Sequence, residues 1–261
     1  MAKPTILFTP GAWHSPAHYE KIMTALQQHG YETEAVALAT VDPKDPPNTH
    51  VDDDVQVISN AINKILLSGK DVVLVSHSYS GIPAQSAAYS FLKQDQNGPR
   101  LKAIAMMCSF LYPPKTALLA ATGGKPLQLH VVSADETLVD VSDDPGPEVA
   151  FYSDVSPEEA AAAKAMLKSH SWRSKTLPPS AEGVGYWEIP TSYLVCENDK
   201  ALPADLQRKW ITDANEALKA RGTDLRIREE QVESGHSPFL SKTEQTAAFI
   251  RRAAGEDVPV S

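Results

Sequence analysis

The chain has 261 residues, 42% of them hydrophobic and 22% charged, enough to bury one sizeable core without requiring a second domain. A formal net charge of −9 and the lack of any Lys/Arg-rich run exclude the electrostatic footprint of a nucleic-acid binder. Cys108 and Cys196 are the only cysteines, each inside an apolar run, and they read as buried free thiols in a reducing compartment.

The first apolar stretch, Ile6-Leu7-Phe8, is far too short for a signal peptide or a membrane span. A cytoplasmic protein with no membrane partner is the expectation. Residues 6–9 read as a strand, and Ser15-Pro16 then supplies an N-cap with proline at the first helical position. Tyr19, Ile22, Met23 and Leu26 fall on one face of the helix that follows, and Gly30 stands where its C-terminal cap belongs. Residues 33–38 form the next predicted strand, and the Pro-, Asp- and Asn-rich residues 41–50 a loop. Val55, Ile58, Ile62, Ile65 and Leu66 mark an amphipathic helix ending near Gly69.

Val72-Val73-Leu74-Val75 is wholly apolar, as a strand buried on both faces of a parallel sheet must be. Residues 82–92 read as a helix and 101–108 as a further buried strand. From about 113 to 186 the alternation fails, and this Pro-, Ser- and Asp-rich stretch is predicted to be a cap-like insertion over the carboxyl edge of the sheet. Its one clear helix opens at Ser156, where Ser156 and Glu159 spell a capping box. Strand character returns at 191–196 and near 225–228, with helices over 203–220 and 242–254. The expected fold class is α/β: one domain over 1–261, with a mostly parallel central sheet and helices on both faces. Such sheets place their sites at the carboxyl ends of strands.

Chemistry concentrates where a buried strand turns into a helix, in Val75-Ser76-His77-Ser78-Tyr79-Ser80-Gly81. A nucleophile elbow is small-x-Ser-x-small, because the strained serine leaves little room two residues to either side. Serine occupies both flanks, at Ser76 and Ser80, and Gly81 is positioned to relieve packing as the helix crosses the sheet. A serine hydroxyl needs a base to take its proton and an acid to hold that base in the right tautomer. Asp199 follows the strand at 191–196 and His236 follows the one near 225–228, in the order nucleophile, acid, histidine. Glu197 is a rival acid and Asp205 a weaker one. His77 reads as packing that faces away from Ser78, whereas His18, His29, His50, His130 and His170 read as surface or helix residues. No pair of histidines has a metal spacing, so no metal and no other cofactor is expected. The Tyr79 amide, together with that of Ala12 in Pro10-Gly11-Ala12-Trp13-His14, would form an oxyanion hole, with Gly11 letting the backbone approach.

Over almost its whole length the chain resembles the α/β-hydrolase superfamily, in particular the plant methyl esterase and hydroxynitrile lyase-like branch. Thr9-Pro10-Gly11-Ala12-Trp13-His14, His77-Ser78-Tyr79-Ser80-Gly81 and Gly235-His236-Ser237-Pro238-Phe239-Leu240 carry the resemblance, with the stretch from Glu197 to Pro203 less specific. The family usually has His-Gly in place of Pro10-Gly11, and glycines in place of Ser76 and Ser80. Its lyases have threonine where Gly11 stands and lysine where Ser237 stands, so both positions favour ester hydrolysis. The resemblance thus implies hydrolysis of a small-molecule ester or lactone through an acyl-enzyme on Ser78, without a cofactor. Gly11, Trp13, His14, Phe110, Trp187 and Phe239 are the substrate-contact candidates. A ligand-binding, receptor-like protein and a lyase or decarboxylase with a retained triad are the alternatives. Oligomeric state is left open, with a homodimer among the states permitted.

Overall fold

Six consecutive buried residues, Val72–His77, form the strand around which the molecule is built. In this computed structural model, which describes residues 2–93 and 97–260, the first half runs β1 (Thr5–Thr9), α1 (Glu20–Gln28), β2 (Thr33–Ala35), α2 (Val51–Leu67), β3 (Val72–His77), α3 (Gly81–Tyr89) and β4 (Leu101–Met107). Between β4 and the next sheet strand lie β5 (His130–Val132), β6 (Leu138–Val141), α4 (Pro147–Ala150), α5 (Pro157–Ala165), β7 (His170–Ser171) and α6 (Arg173–Thr176). The chain ends with β8 (Thr191–Cys196), α7 (Ala204–Ala220), β9 (Arg228–Val232), α8 (Pro238–Ser241) and α9 (Thr243–Ala253).

The main sheet has the order β2-β1-β3-β4-β8-β9, and every neighbouring pair is parallel. Alternation along the strands sends side chains into two cores. Leu7, Leu74, Ile104 and Met106 pack with Ile58 and Ile62 of α2 and Trp210 of α7. Ile6, Phe8, Val73, Val75 and Met107 pack on the other face with Ile22 and Leu26 of α1 and Phe249 and Ile250 of α9. Helices on both faces explain why β3 and β8 carry no polar alternation. Both cysteines are free and buried, Cys108 past the end of β4 and Cys196 at the end of β8.

The irregular stretch between β4 and β8 folds into an antiparallel sheet, β5-β6-β7, with α4, α5 and α6 around it. It is a cap-like insertion tied to the loop after β1: the Trp13 indole donates to the Val139 carbonyl (2.8 Å) and the Lys168 amide to the Trp13 carbonyl (3.0 Å). Among the described residues no helix is long and apolar enough to cross a membrane.

Several boundaries and one cap differ from the sequence expectation. β2 ends at Ala35 because Val36 and Leu38 are apolar for the core beside α2, not for strand pairing. α2 starts earlier, at Val51, where the His50 amide donates to Asp53 (2.8 Å) and Asp52, Asp53 and Asp54 load the first turn with negative charge. Only half of the capping box at Ser156 forms: its hydroxyl accepts from the Glu159 amide (3.2 Å), while the Glu159 carboxylate pairs with Lys21 (2.7 Å). β9 begins at Arg228, not Leu225, because Leu225 and Ile227 pack in the approach to the strand. As an edge strand, β9 keeps charge instead, pairing Glu229 with Arg208 and Glu230 with Arg252.

Candidate active site

Ser78 stands between β3 and α3 with φ at +54°, in the left-handed region that costs a non-glycine residue about 1 kcal/mol or more. Its carbonyl is held by the Phe110 amide (3.0 Å) and the Ser109 hydroxyl (2.9 Å), which fix the strained turn from the end of β4. The turn lifts the serine side chain off the sheet toward the cap, and Ser78 is half-buried in otherwise closed surroundings.

At the ends of β8 and β9, Asp199 and His236 meet although 37 residues separate them: Nδ1 of His236 donates to Oδ2 of Asp199 at 2.7 Å, with both side chains shielded from solvent. The aspartate is itself oriented. Its Oδ1 accepts the amides of Ala201 and Leu202 (2.8 Å each), and Oδ2 also accepts from Nε2 of Gln207 (3.2 Å). With Nδ1 protonated toward a carboxylate, Nε2 of His236 is the lone-pair nitrogen, as a general base requires. Glu197 is engaged elsewhere, in an ion pair with Arg208, and Asp205 is exposed on α7.

His77 does more than pack. It turns from Ser78 and ties three loops together, because its Nε2 donates to the His236 carbonyl (2.8 Å), its Nδ1 accepts from the Tyr19 hydroxyl (2.7 Å), and that hydroxyl accepts from the Gly11 amide (3.1 Å). A methyl on Gly11 would come within 2.8 Å of His77 Nδ1 and 3.2 Å of Ser78 Cβ, so this loop approaches the elbow only as glycine. His14 clamps the same loop: Nδ1 donates to the Ala12 carbonyl (2.7 Å) and Nε2 accepts from the Tyr152 hydroxyl (3.0 Å). Burial holds the pKa of both imidazoles well below the ordinary histidine value, so both are neutral.

Ser78 and His236 open onto a cavity with about 330 Å³ of free space. Ala12 and Tyr79, the oxyanion-hole candidates, line it, as do Trp13 and Phe110. The remaining substrate-contact candidates lie elsewhere. Gly11 lies behind the wall against His77, and His14 is turned to Ala12 and Tyr152. Phe239 stacks on Tyr19 with ring centroids 4.3 Å apart, and Trp187 packs edge-on to Tyr89 under Arg221. Aromatic character near a strand end marked these residues, and the core claims it. Two histidines read as surface or helix residues are inside: His18, in a helical turn, is buried against the Ala163 carbonyl (3.1 Å), and His170 sits in the core of the cap. His130, half-buried, lines the cavity.

Several residues that matter here escaped sequence reading. Gln207 is a polar residue on the buried face of α7, in register with Ile211, Ala214 and Leu218, and that break in an apolar stripe was the available signal. Lys175, fully buried and on the cavity wall, gave none. Donor atoms of His77, Cys108 and His236 lie within 4.8 Å of one another, but Nε2 of His77 and Sγ of Cys108 both point at the His236 carbonyl oxygen, and Nδ1 of His236 is given to Asp199.

A sequence profile of the alpha/beta hydrolase family matches residues 6–249. The chain belongs to this family. It is 30% identical over 262 residues to an alpha/beta hydrolase, nvfD, of Aspergillus novofumigatus, with 100% of both chains covered. A pyrethroid hydrolase from Sphingobium faniae JZ-2 shares the fold with a TM-score of 0.74 at 18% identity, over 97% of this chain and 98% of that one. So does a methylesterase from Arabidopsis, with a TM-score of 0.74 at 17% identity over 96% and 99%.

In this alpha/beta hydrolase the two serines flanking the elbow are built into it. Ser80 Oγ accepts from the His77 amide (3.0 Å) and donates to the Thr9 carbonyl (2.6 Å), joining β1 to the turn. Ser76 is buried with its hydroxyl 3.5 Å from that of Ser109. The position that tolerates no side chain is instead Gly81, where a Cβ would lie 2.1 Å from the Phe110 carbonyl oxygen.

Proposed function

We propose that this protein hydrolyses a small carboxylic ester or lactone through an acyl-enzyme on Ser78, in a reducing, cytoplasmic setting. The observation that carries this reading is the buried 2.7 Å hydrogen bond from His236 to Asp199, beside a Ser78 held at positive φ on the wall of the same cavity. His236 takes the Ser78 proton as Oγ attacks the carbonyl carbon, and returns it to the leaving alkoxide as the ester C–O bond breaks. Water, deprotonated by His236, then attacks the acyl-enzyme; the acid leaves and Ser78 recovers its proton. Asp199 steadies the imidazolium in both halves. The amides of Ala12 and Tyr79 receive the oxyanion, each contributing roughly 3 kcal/mol in the transition state. Ser237 follows the histidine where a cyanohydrin-cleaving relative would carry lysine, which supports hydrolysis over lyase chemistry.

A fluorophosphonate probe, with mass spectrometry of the labelled peptide, tests this. A single adduct on Ser78, lost in Ser78→Ala and strongly slowed in His236→Ala, is expected. A folded protein that takes no label would sink the acyl-enzyme and favour a ligand-binding or non-covalent lyase role.

A further inference from the structure

Besides Ser78 and His236, the wall of the cavity carries four side chains with polar atoms, Trp13, Tyr79, His130 and Lys175, and the Trp13 indole donates to the Val139 carbonyl (2.8 Å). The Tyr79 hydroxyl is turned away to Asp54 (2.7 Å), and Nδ1 of His130 accepts from the Leu127 amide (3.3 Å). Lys175 is therefore the one amine on the wall of an otherwise largely apolar chamber, and it is completely buried.

Its partners form a chain whose polarity is forced. Asp54, buried and 121 residues earlier in the sequence (175 − 54), accepts from the Thr40 amide (3.0 Å), the Thr40 hydroxyl (2.6 Å) and the Tyr79 hydroxyl. Since the Thr40 hydroxyl proton goes to Asp54, its oxygen must accept from Nε2 of His170 (2.6 Å). Nδ1 of that neutral ring is then an acceptor, and it takes a hydrogen bond from Lys175 Nζ. The Nζ also lies 4.0 Å from the centre of the Tyr79 ring and 5.2 Å from that of Trp13, two faces that attract a cation. Burial pushes the Lys175 pKa well below the ordinary lysine value, and the upward pull of Asp54 is the smaller effect. An anionic acceptor in the chamber would favour the ammonium form and offset much of its desolvation, with one of the three donors of that form already given to His170.

We propose that Lys175 is the specificity-determining cation of this site, and that the ester or lactone opened at Ser78 carries a carboxylate whose oxygen accepts a hydrogen bond from Lys175 Nζ. The inference rests on the hydrolase reading above for the reacting bond, but not for the recognition itself. Asp54, Thr40 and His170 hold Lys175 Nζ in place, so a bound carboxylate is met by a fixed donor.

The test compares 4-nitrophenyl butyrate with its charged counterpart, the mono-4-nitrophenyl ester of glutaric acid. The wild type is expected to favour the charged ester by about 10- to 100-fold in kcat/KM, chiefly through KM, as a charge-assisted hydrogen bond would give. In Lys175→Met that ratio should collapse toward one, and Lys175→Arg should recover part of it. An unchanged ratio in a folded Lys175→Met, or no preference in the wild type, overturns the proposal while leaving the hydrolase reading intact. If the wild type hydrolyses neither ester, the hydrolase reading is what fails. Calorimetric titration of Ser78→Ala with phenylacetate and phenylacetamide then decides recognition alone. Tighter binding of phenylacetate, lost with Lys175→Met, supports it, and equal binding of the two overturns it.

Discussion

The Tyr19 hydroxyl donates to Nδ1 of His77 at 2.7 Å, and through it the loop after β1 is coupled to the loop that carries His236. Tyr19→Phe keeps the ring, which stacks on Phe239, and removes only the bridging oxygen. The Gly11 amide and His77 Nδ1 are then left without their partner in a buried site, a loss of about 1–3 kcal/mol of stability. Fluorophosphonate labelling of Ser78 should slow by roughly 10-fold, because a small misplacement of reacting groups is costly. If labelling is unchanged while the melting temperature falls, Tyr19 supports the fold without positioning the site.

Backbone crowding makes a sharper claim at Gly81. A Cβ there would lie 2.1 Å from the Phe110 carbonyl oxygen and 2.5 Å from Ser109 Oγ, and both of those residues hold the Ser78 carbonyl. Gly81→Ala should cost roughly 1–3 kcal/mol or more, as overpacking in a rigid interior does. Its urea midpoint should fall well below that of Ser80→Gly, which removes hydrogen bonds but adds no atoms. Equal midpoints would mean that the helix can slide away from β4.

How much of this could be read before the structure depended on where each residue type meets a constraint. β3 and β8 were legible because burial on both faces demands an apolar run. Ser78, Asp199 and His236 could be picked out as candidates because each follows a strand at the carboxyl edge. β9 was misplaced because an edge strand trades apolar alternation for Glu229 and Glu230. The network of Asp54, Thr40, His170 and Lys175 was invisible, since it assembles residues up to 135 apart (175 − 40) whose types are individually ordinary. His77 and Tyr19 looked like packing because nothing in a sequence distinguishes a buried ring from a buried ring with both ends hydrogen-bonded.

The geometry around Asp199 separates it from its rival. Because Oδ1 accepts two backbone amides, an asparagine at this position must keep its oxygen there and turn its NH₂ toward His236. Nδ1 of the imidazole would become an acceptor and Nε2 would carry the proton, leaving no base for Ser78. Asp199→Asn should lower kcat on the order of 10⁴-fold, the size found for the same swap in serine proteases of another fold. Glu197→Gln breaks only the pair with Arg208 and should stay within about twofold of wild type. A reversal of these two results would reassign the acid.

Acid should unfold this protein from a higher pH than its carboxylates alone would set. Burial holds the pKa of His14, His77 and His170 well below the ordinary histidine value of about 6.5, and it pushes His130 down to about 3. Each is neutral in the folded state and takes up a proton on unfolding, so its contribution is fully present above pH 6.5 and is lost below it. The loss approaches about 1.4 kcal/mol per pH unit for each group. Asp54 acts in the opposite sense: burial pushes its pKa up to about 6, well above the ordinary aspartate value of about 3.9, so the folded state keeps a proton that the unfolded chain releases between those values. One opposing carboxylate offsets one histidine, and the remaining imidazoles set a net loss of stability as the pH falls from 6.5 to 5. Urea unfolding at pH 7.5, 6.5 and 5 should show a plateau followed by a steep fall, and Asp54→Asn should steepen it. A stability that stays flat down to pH 5 would mean that these imidazoles take up protons in the folded state.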